Sequence, residues 1–196
     1  MEKMMLKQKR VVELLPFIAK CIQDRAVLIG GTALALFHLN HRISIDIDLA
    51  VEKDDVELSR ELKGCLSKIG FITKPTAYKN VFTVNFEETA VRVEVFIPEI
   101  KIKQPKDVVV SGAALKVGSL DDLFELKLLA YKNRKAVRDL FDLWSLLKAM
   151  KAQPKTLATI LKESGLPVES AVELKTMGVS DEEIKKFSEA IKNASS

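Results

Sequence analysis

Cysteine, histidine and tryptophan are scarce in this chain of 196 residues, which contains two cysteines, two histidines and one tryptophan. So few cysteines argue against a small domain held together by disulfides. Cys21 and Cys65 lie far apart in the sequence and form no CxxC pair. We therefore expect both to be buried free thiols in a reducing cytosol.

Long apolar runs are also missing. No run approaches the roughly 20 residues that a membrane-spanning helix needs, and the N-terminal segment contains acids and lacks the apolar core of a signal peptide. We therefore expect a cytoplasmic protein without membrane association. Apolar residues make up 47% of the chain and charged residues 30%, which argues against disorder and against a coiled-coil rod.

The hydrophobic pattern changes near residue 118. Before it, the pattern predicts helices over 6–23, 32–39 and 54–69 and strands over 26–29, 44–51, 81–86 and 91–97, with weaker strand and loop over 102–117. Pro16 is expected to interrupt or kink the first helix, and Thr32 to cap the second. After it, only helices are predicted, over 120–131 and 136–150 and after the capping box at Ser180. We expect an α/β domain over 1–117 and a helical domain over 118–196.

Two aspartates stand out on the strand over 44–51. Asp46 and Asp48 alternate with Ile45, Ile47 and Leu49, so both carboxylates project from one face while the apolar residues point into a core. Carboxylates this close raise each other's pKa unless a cation neutralises them, and paired hard oxygen ligands suit Mg²⁺.

A phosphate site is predicted just upstream. Gly30 and Gly31 allow close approach to the backbone, and the helix that follows offers main-chain N–H groups to a phosphate. A phosphate site beside a Mg²⁺ site is what a nucleoside triphosphate requires.

The string GGTALAL over 30–36, with HRISIDID over 41–48, resembles the nucleotidyltransferase superfamily signature of a glycine-rich turn and helix followed by a DxD strand. Its His-Arg and Ser resemble one branch more closely, the AbiEii/AbiGii-type nucleotidyltransferase toxins, which include the mycobacterial-type tRNA nucleotidyltransferase toxins. The stretch over 127–143 is similar to that family's helical motif, K-x6-R-x3-RD-x2-DL. The resemblance covers roughly residues 25–150.

The resemblance implies a DNA polymerase β-like α+β fold, with a mixed sheet and flanking helices followed by a C-terminal helical bundle. It implies a catalytic set, in which the first three residues would bind the metal: Asp46, Asp48, Glu94, Lys127 and Asp142. It also implies a nucleotide-binding set: Gly30, Gly31, Thr32, Arg42, Ser44, Lys127, Arg134, Arg138 and Asp139. The implied cofactor is Mg²⁺ or Mn²⁺, with an NTP as substrate.

Within these sets the residues have distinct expected roles. Gly31 and Thr32 would bind the β- and γ-phosphates, Lys127 and Arg134 would meet the triphosphate, and Asp142 or Asp139 would orient the lysine or the nucleotide. Arg134, Arg138 and Asp142 follow at helical intervals of four, so we expect them to share one face and to form a polar cluster there. The other interpretation of the second motif is a ladder of surface ion pairs.

Glu94 is the candidate third carboxylate. It alternates with Val91, Val93 and Val95 on the strand over 91–97, with Arg92 on its own face. The superfamily usually has Asp at the third position. The other interpretation is that Arg92 and Glu94 are polar positions on a half-exposed strand.

The resemblance implies transfer of a nucleoside monophosphate to an acceptor hydroxyl, at the 3′ end of tRNA, by the toxin of a type IV-like toxin–antitoxin system with a cognate antitoxin as partner. The alternatives are a protein or a small molecule such as an aminoglycoside as acceptor, or a catalytically silent binding module of the same fold. His41 is expected either to help position phosphate or only to close a loop.

The net charge of +4 hides a strong division along the chain. Residues 126–162 contain nine Lys or Arg and two Asp, whereas residues 44–62 contain seven Asp or Glu and two Lys or Arg. This distribution fits an acidic metal-binding strand that faces a basic helical half, which would attract a triphosphate or the phosphates of RNA.

Overall fold

The computed structural model describes residues 2–52, 56–150 and 155–195. The strands are β1 (Val27–Ile29), β2 (Asp46–Ala50), β3 (Ile72–Pro75), β4 (Val81–Asn85), β5 (Ala90–Phe96), β6 (Lys106–Val110) and β7 (Ala113–Val117). The helices are α1 (Glu2–Ile22), α2 (Gly30–Leu34), α3 (Val56–Lys68), α4 (Leu120–Arg134), α5 (Val137–Ala149), α6 (Leu157–Ser164) and α7 (Asp181–Ser195). A π-helical turn at Ala35–Leu39 extends α2, and a 3₁₀ helix at Ala171–Met177 precedes α7.

All seven strands form one mixed sheet in the order β3-β4-β5-β2-β1-β7-β6. Strand β2 lies at its centre, antiparallel to β1 and parallel to β5. Helices flank the sheet, and the regular elements that follow β7 within 118–150 and 155–195 are all helices. The predicted fold class, a mixed sheet with flanking helices followed by C-terminal helices, is confirmed.

The alternation in β2 places its two aspartates as predicted. Ile47 and Leu49 are fully buried, whereas Asp46 and Asp48 are half-buried on the opposite face. Ile45 precedes the strand and is itself only half-buried. The expectation that Ile45 joins the core is therefore wrong, because the regular alternation begins one residue later.

Helix α1 buries the apolar stripe that its sequence predicts, formed by Val11, Leu14, Leu15, Ile18 and Ile22. The helix runs unbroken through Pro16, so the expected interruption does not occur. A proline removes one main-chain hydrogen bond. The buried apolar residues lie both before and after Pro16, so the packing of α1 continues past it. None of the helices in the described ranges is long and apolar enough to cross a bilayer.

The two cysteines are bonded to each other, and the expectation of free thiols is wrong. Cys21 lies near the end of α1 and Cys65 in α3, and these helices pack together, so the Cα atoms come to 5.9 Å and the Sγ atoms form a disulfide. This separation lies within the range that a disulfide requires. The sequence separation of 44 concealed the pairing, because sequence distance says nothing about which helices pack together.

Two local predictions also need correction. Helix α2 begins at Gly30 with Ile29 at its N-cap, so Thr32 lies inside the helix and is not its cap. Strand β3 was not predicted; it is a short edge strand whose Ile72 is exposed. In contrast, the predicted cap at Ser180 is confirmed, since its hydroxyl accepts a hydrogen bond from the main-chain N–H of Glu183. The Ser119 hydroxyl caps α4 in the same way, accepting from the main-chain N–H of Asp122.

Candidate active site

The glycine pair fits tightly against β2 and the loop before it. Ile29 of β1 pairs with Asp48 of β2, so the turn that follows passes directly beside the Asp48 side chain. Gly30 has a φ of +73°, and a Cβ there would lie 2.3 Å from Asp48 Oδ2. A Cβ on Gly31 would lie 2.6 Å from Arg42 Nη2. Both positions therefore require glycine for the close approach, and Gly30 for its positive φ as well.

Thr32 and Ser44 fix this turn to β2. Thr32 is fully buried, and its hydroxyl donates to the main-chain carbonyl of Asp46 and lies 3.0 Å from Ser44 Oγ. Ser44 lines the cleft described below, whereas Thr32 does not. The contacts of the Thr32 hydroxyl are thus with the protein itself.

Asp46 and Asp48 form the acidic floor of the site. Burial, together with the charge of Asp46, raises the pKa of Asp48 to about 6. The carboxylate of Asp46 has no ion-pair or hydrogen-bond partner among the residues that the structure describes. Two neighbouring carboxylates in this condition favour a bound cation.

Glu94 lies beside this pair but is engaged by an arginine. Across the parallel strands β2 and β5, Asp48 is the partner of Glu94 and Asp46 is the partner of Arg92. Arg92 Nη2 donates to Glu94 Oε2 at 2.6 Å, and Arg92 Nη1 lies 3.9 Å from Asp48 Oδ1. Within residues 2–52, 56–150 and 155–195, no three His, Cys, Asp or Glu side chains are grouped as a metal site would require.

The second motif and the loop before β2 meet in a buried charged network around Asp142. Its carboxylate is completely buried and accepts hydrogen bonds from Arg42 Nε at 2.6 Å, Arg42 Nη2 at 2.7 Å and His41 Nε2 at 2.7 Å. Lys127 Nζ lies 2.7 Å away. Burial alone would raise the pKa of Asp142, but the charges of Arg42 and Lys127 hold it well below its usual value.

Asp139 is the second buried aspartate that forms an ion pair with Lys127. It is completely buried, and its Oδ1 lies 2.9 Å from Lys127 Nζ. Arg134 donates to it through Nε at 2.5 Å and Nη2 at 2.8 Å. Burial opposes ionisation here too, but the Arg134 hydrogen bonds and the Lys127 charge lower the pKa of Asp139. The Lys127 ammonium is thus fixed between two aspartates, and the side chain is about nine-tenths buried.

The expectation that Arg134, Arg138 and Asp142 share one helical face is wrong for Arg134. Helix α4 ends at Arg134, Lys135 adopts a left-handed conformation, and Val137 starts α5. Arg138 and Asp142 do lie one turn apart on α5, but Arg138 is exposed and Asp142 is buried. The motif spans a corner between two helices, and it is not an exposed ladder of ion pairs, because both of its aspartates are buried.

These residues line one cleft of about 700 Å³. Of the candidate residues, the structure brings together in its lining Gly30, Gly31, Arg42, Ser44, Asp46, Asp48, Glu94, Lys127, Arg134 and Arg138. Asp139, Asp142 and Thr32 lie behind this lining. Arg92, Asn133 and the apolar Phe96, Ile97 and Met177 also line the cleft. Sequence reasoning missed Arg92 as a site residue, since a charged residue on a half-exposed strand carries no distinctive signal.

His41 is placed behind the cleft rather than in it. Its Nε2 bonds with Asp142 and its ring stacks on Phe141 at 5.7 Å. Its buried Nδ1 has no hydrogen-bond partner in the part of the chain that the structure describes. Of the two expected roles, closing the loop fits this position. His38 hydrogen bonds through Nε2 with the main-chain oxygen of Gly118 at 2.9 Å and links α2's extension to the start of α4.

A family model described as "Nucleotidyl transferase AbiEii toxin, Type IV TA system" matches residues 22–192. The chain belongs to the AbiEii nucleotidyltransferase toxin family. Every candidate site residue of this AbiEii nucleotidyltransferase lies within the matched range. No match is found among curated proteins.

Solved structures with the same fold cover almost the whole AbiEii chain. JHP933 from Helicobacter pylori is 23% identical over 99% of this chain and 92% of its own, with a TM-score of 0.60. The nucleotidyltransferase toxin MenT4 from Mycobacterium tuberculosis is 15% identical over 97% of this chain and 93% of its own, with a TM-score of 0.56. An antigenic nucleotidyltransferase-like protein from Paracoccidioides brasiliensis is 18% identical over 95% and 92%, with a TM-score of 0.55. These likenesses show the nucleotidyltransferase fold.

Proposed function

We propose that this AbiEii toxin is a Mg²⁺-dependent enzyme that transfers a nucleoside monophosphate from an NTP to the 3′-terminal hydroxyl of tRNA. The observation that carries the proposal is the contact between the Gly30 turn and Asp48. It puts a main-chain segment suited to phosphate directly beside a pair of carboxylates suited to a divalent cation.

The donor set fits Mg²⁺. Asp46 and Asp48 are adjacent on one strand face, Asp46 has no counter-ion in the described part of the chain, and the pKa of Asp48 is raised to about 6 by burial and by Asp46. Mg²⁺ takes one or two protein carboxylates and completes its shell with water and substrate phosphates. When bound, it would supply charge neutralisation and stabilise the attacking and leaving oxygens. Mn²⁺ has the same preference for oxygen ligands.

The triphosphate would lie between the glycine turn and the cationic wall of the cleft, which is formed by Lys127 and Arg134 of α4 and Arg138 of α5. The main chain at Gly30 and Gly31 would approach the β- and γ-phosphates, and Lys127, Arg134 and Arg138 would meet their charge. Asp139 and Asp142 would not touch the nucleotide. They hold the Lys127 ammonium in one position, so that its charge is in place before the substrate arrives.

In the proposed reaction the acceptor hydroxyl oxygen attacks the α-phosphorus of the NTP. A new oxygen–phosphorus bond forms as the bond from the α-phosphorus to the bridging oxygen breaks, pyrophosphate leaves with that electron pair, and the acceptor proton passes to solvent. Positioning and fixed charge would provide most of the rate enhancement.

An RNA acceptor is supported by the charge around the cleft. The basic stretch over 126–162 includes Arg138, which is exposed, lines the cleft and has no ion-pair partner among the described residues. An exposed and unpaired arginine at a cleft rim suits a nucleic-acid phosphate. As the toxin of a toxin–antitoxin pair, the protein would have a cognate antitoxin as its partner.

The experiment incubates the protein with each α-labelled NTP, Mg²⁺ and total tRNA. We expect label on tRNA, loss of labelling with Asp48→Asn, and no effect of Asp107→Asn, an exposed aspartate on edge strand β6 outside the cleft. Periodate-treated tRNA, which lacks the terminal diol, should not be labelled. Equal labelling by Asp48→Asn would overturn the catalytic assignment, and label on protein or on periodate-treated tRNA would overturn the acceptor.

A further inference from the structure

Arg92 lies inside the acidic site, and its guanidinium gives that site a positive charge that belongs to the chain itself. Its guanidinium reaches from Glu94 Oε2, at 2.6 Å from Nη2, towards Asp48 Oδ1, at 3.9 Å from Nη1. It therefore fills the space between the carboxylates of Asp48 and Glu94, which are partners across the parallel strands. A metal ion shared by those two carboxylates would need this same space.

We infer that Arg92 takes the place of a second metal ion, so that the site binds one divalent cation, at Asp46 and Asp48, while Glu94 is held by Arg92 and is not a metal ligand. This inference rests on the proposed Mg²⁺ site. It assigns Arg92 as a residue that sets the number of metal ions, which the sequence pattern did not suggest.

The charges of the site balance for one ion. Asp46, Asp48 and Glu94 together supply three negative charges when ionised, and Arg92 supplies one positive charge. Before the triphosphate binds, one divalent cation neutralises the remainder, whereas two would leave a net positive site. The neighbouring Lys127 is left out of this count because it is already paired with Asp139 and Asp142, at 2.9 and 2.7 Å.

The strand geometry places Arg92 and Glu94 side by side. Arg92 and Glu94 are two residues apart on β5, so their side chains project from the same face. Arg92 is 40% exposed and Glu94 is 26% exposed, so the pair lies at the cleft surface, where a metal ion would enter.

Binding of Mn²⁺ tests the inference, measured from the electron paramagnetic resonance signal of the free ion. We expect one Mn²⁺ per chain for the wild type and none at the same concentrations for Asp48→Asn. Arg92→Gln should bind a second Mn²⁺ and should hold the first about tenfold more tightly, because a positive charge next to the ion has been removed. Arg92→Lys, which keeps the charge, should still bind one.

Glu94→Gln provides an independent arm of the test. Loss of one negative charge should weaken the single site about tenfold without changing its number. Two ions on the wild type, one of them lost in Glu94→Gln, would overturn the inference, as would identical number and affinity in the wild type and Arg92→Gln. If the wild type transfers nucleotide but gives either of these results, the inference about Arg92 fails alone. If the wild type neither transfers nucleotide nor binds Mn²⁺, both it and the proposed function fail.

Discussion

Asp142 and Arg42, 100 residues apart in the sequence, form a bidentate ion pair. Arg42 Nε donates to Asp142 Oδ1 at 2.6 Å, and Arg42 Nη2 donates to Asp142 Oδ2 at 2.7 Å. Both side chains are almost completely buried. The pair joins the loop before β2 to helix α5, and so it connects the sheet to the helices that form the opposite wall of the cleft.

The first prediction concerns Asp142→Asn. Removal of this charge leaves the buried Arg42 uncompensated, and we expect a loss of about 3 to 5 kcal/mol in the free energy of unfolding. Thermal unfolding measures it, with a fall in Tm on the order of 10 °C. Asp121→Asn, at an exposed position of α4, is the control and should change Tm little. A change in Asp142→Asn no larger than in this control would show that the pair contributes nothing.

The second prediction uses two glycines with similar backbone angles. Gly30 and Gly112 have φ of +73° and +79°, but a Cβ on Gly30 would meet Asp48 Oδ2 at 2.3 Å, whereas a Cβ on Gly112 would meet nothing within 4 Å. Gly30→Ala should reduce nucleotide transfer at least about 100-fold, since a misplacement of about 1 Å can cost this much. Gly112→Ala should retain activity. Similar losses of activity in both variants would show that backbone strain, and not contact with Asp48, causes the effect.

The third prediction is the pH dependence of stability at Asp48. Its pKa in the folded protein, about 6, is above the ordinary value of 3.8, so the folded state binds the proton more tightly than the unfolded state does. The ionised carboxylate then costs stability above pH 6, by at most about 3 kcal/mol, and the cost disappears as the pH falls towards 4. Without metal, Asp48→Asn should raise Tm at pH 7.5 and not at pH 4. Added Mg²⁺ should stabilise the wild type and not the variant. A variant less stable than the wild type at pH 7.5 would contradict the prediction.

The fourth prediction concerns the Cys21–Cys65 disulfide. It closes a loop of 44 residues in sequence separation, for which chain entropy gives about 4 kcal/mol. A reducing agent should lower Tm by several degrees, and the double variant Cys21→Ser, Cys65→Ser should match the reduced protein and no longer respond to it. Mass measurement under non-reducing conditions, with a thiol-alkylating reagent, counts the free thiols directly. Two alkylated cysteines in the untreated, unfolded chain would contradict the pairing.

The fifth prediction separates two arginines at the helix corner. Arg138 is exposed and unpaired among the described residues, whereas Arg134 is bonded to the buried Asp139. Arg138→Gln should leave Tm unchanged, weaken tRNA binding and reduce its dependence on log salt by about one. Arg134→Gln should in addition lower Tm, because it removes two hydrogen bonds to a buried carboxylate. If Arg138→Gln changes neither affinity nor salt dependence, Arg138 does not contact phosphate.

The parts of the molecule that the sequence predicted are those set by local pattern. The alternation around Asp46 and Asp48 gave the strand and its acidic face, and the run of helical patterns after Ser119 gave the helical half. These features depend on side-chain periodicity, which a single segment carries by itself.

The parts that the sequence did not predict depend on contacts between distant segments. In the sequence, Arg92 looks like an ordinary polar residue of a strand. Only the pairing of β5 with β2 puts it beside Asp48. The corner between α4 and α5 lies at Lys135, which adopts a positive φ without the glycine that usually marks such a turn. The pairing of Cys21 with Cys65 follows from the packing of α1 on α3, and no spacing rule reveals it.

The long span of the Arg42–Asp142 pair has a consequence for the order in which the chain is made. Synthesis proceeds from the N-terminus, so the loop that carries Arg42 emerges long before Asp142, the carboxylate that neutralises Arg42. The cleft also takes its lining from residues as far apart as Met4 and Met177. A growing chain therefore has both aspartates of the DxD strand before it has the cationic residues of α4 and α5, and the cleft is complete only after Met177 has been added.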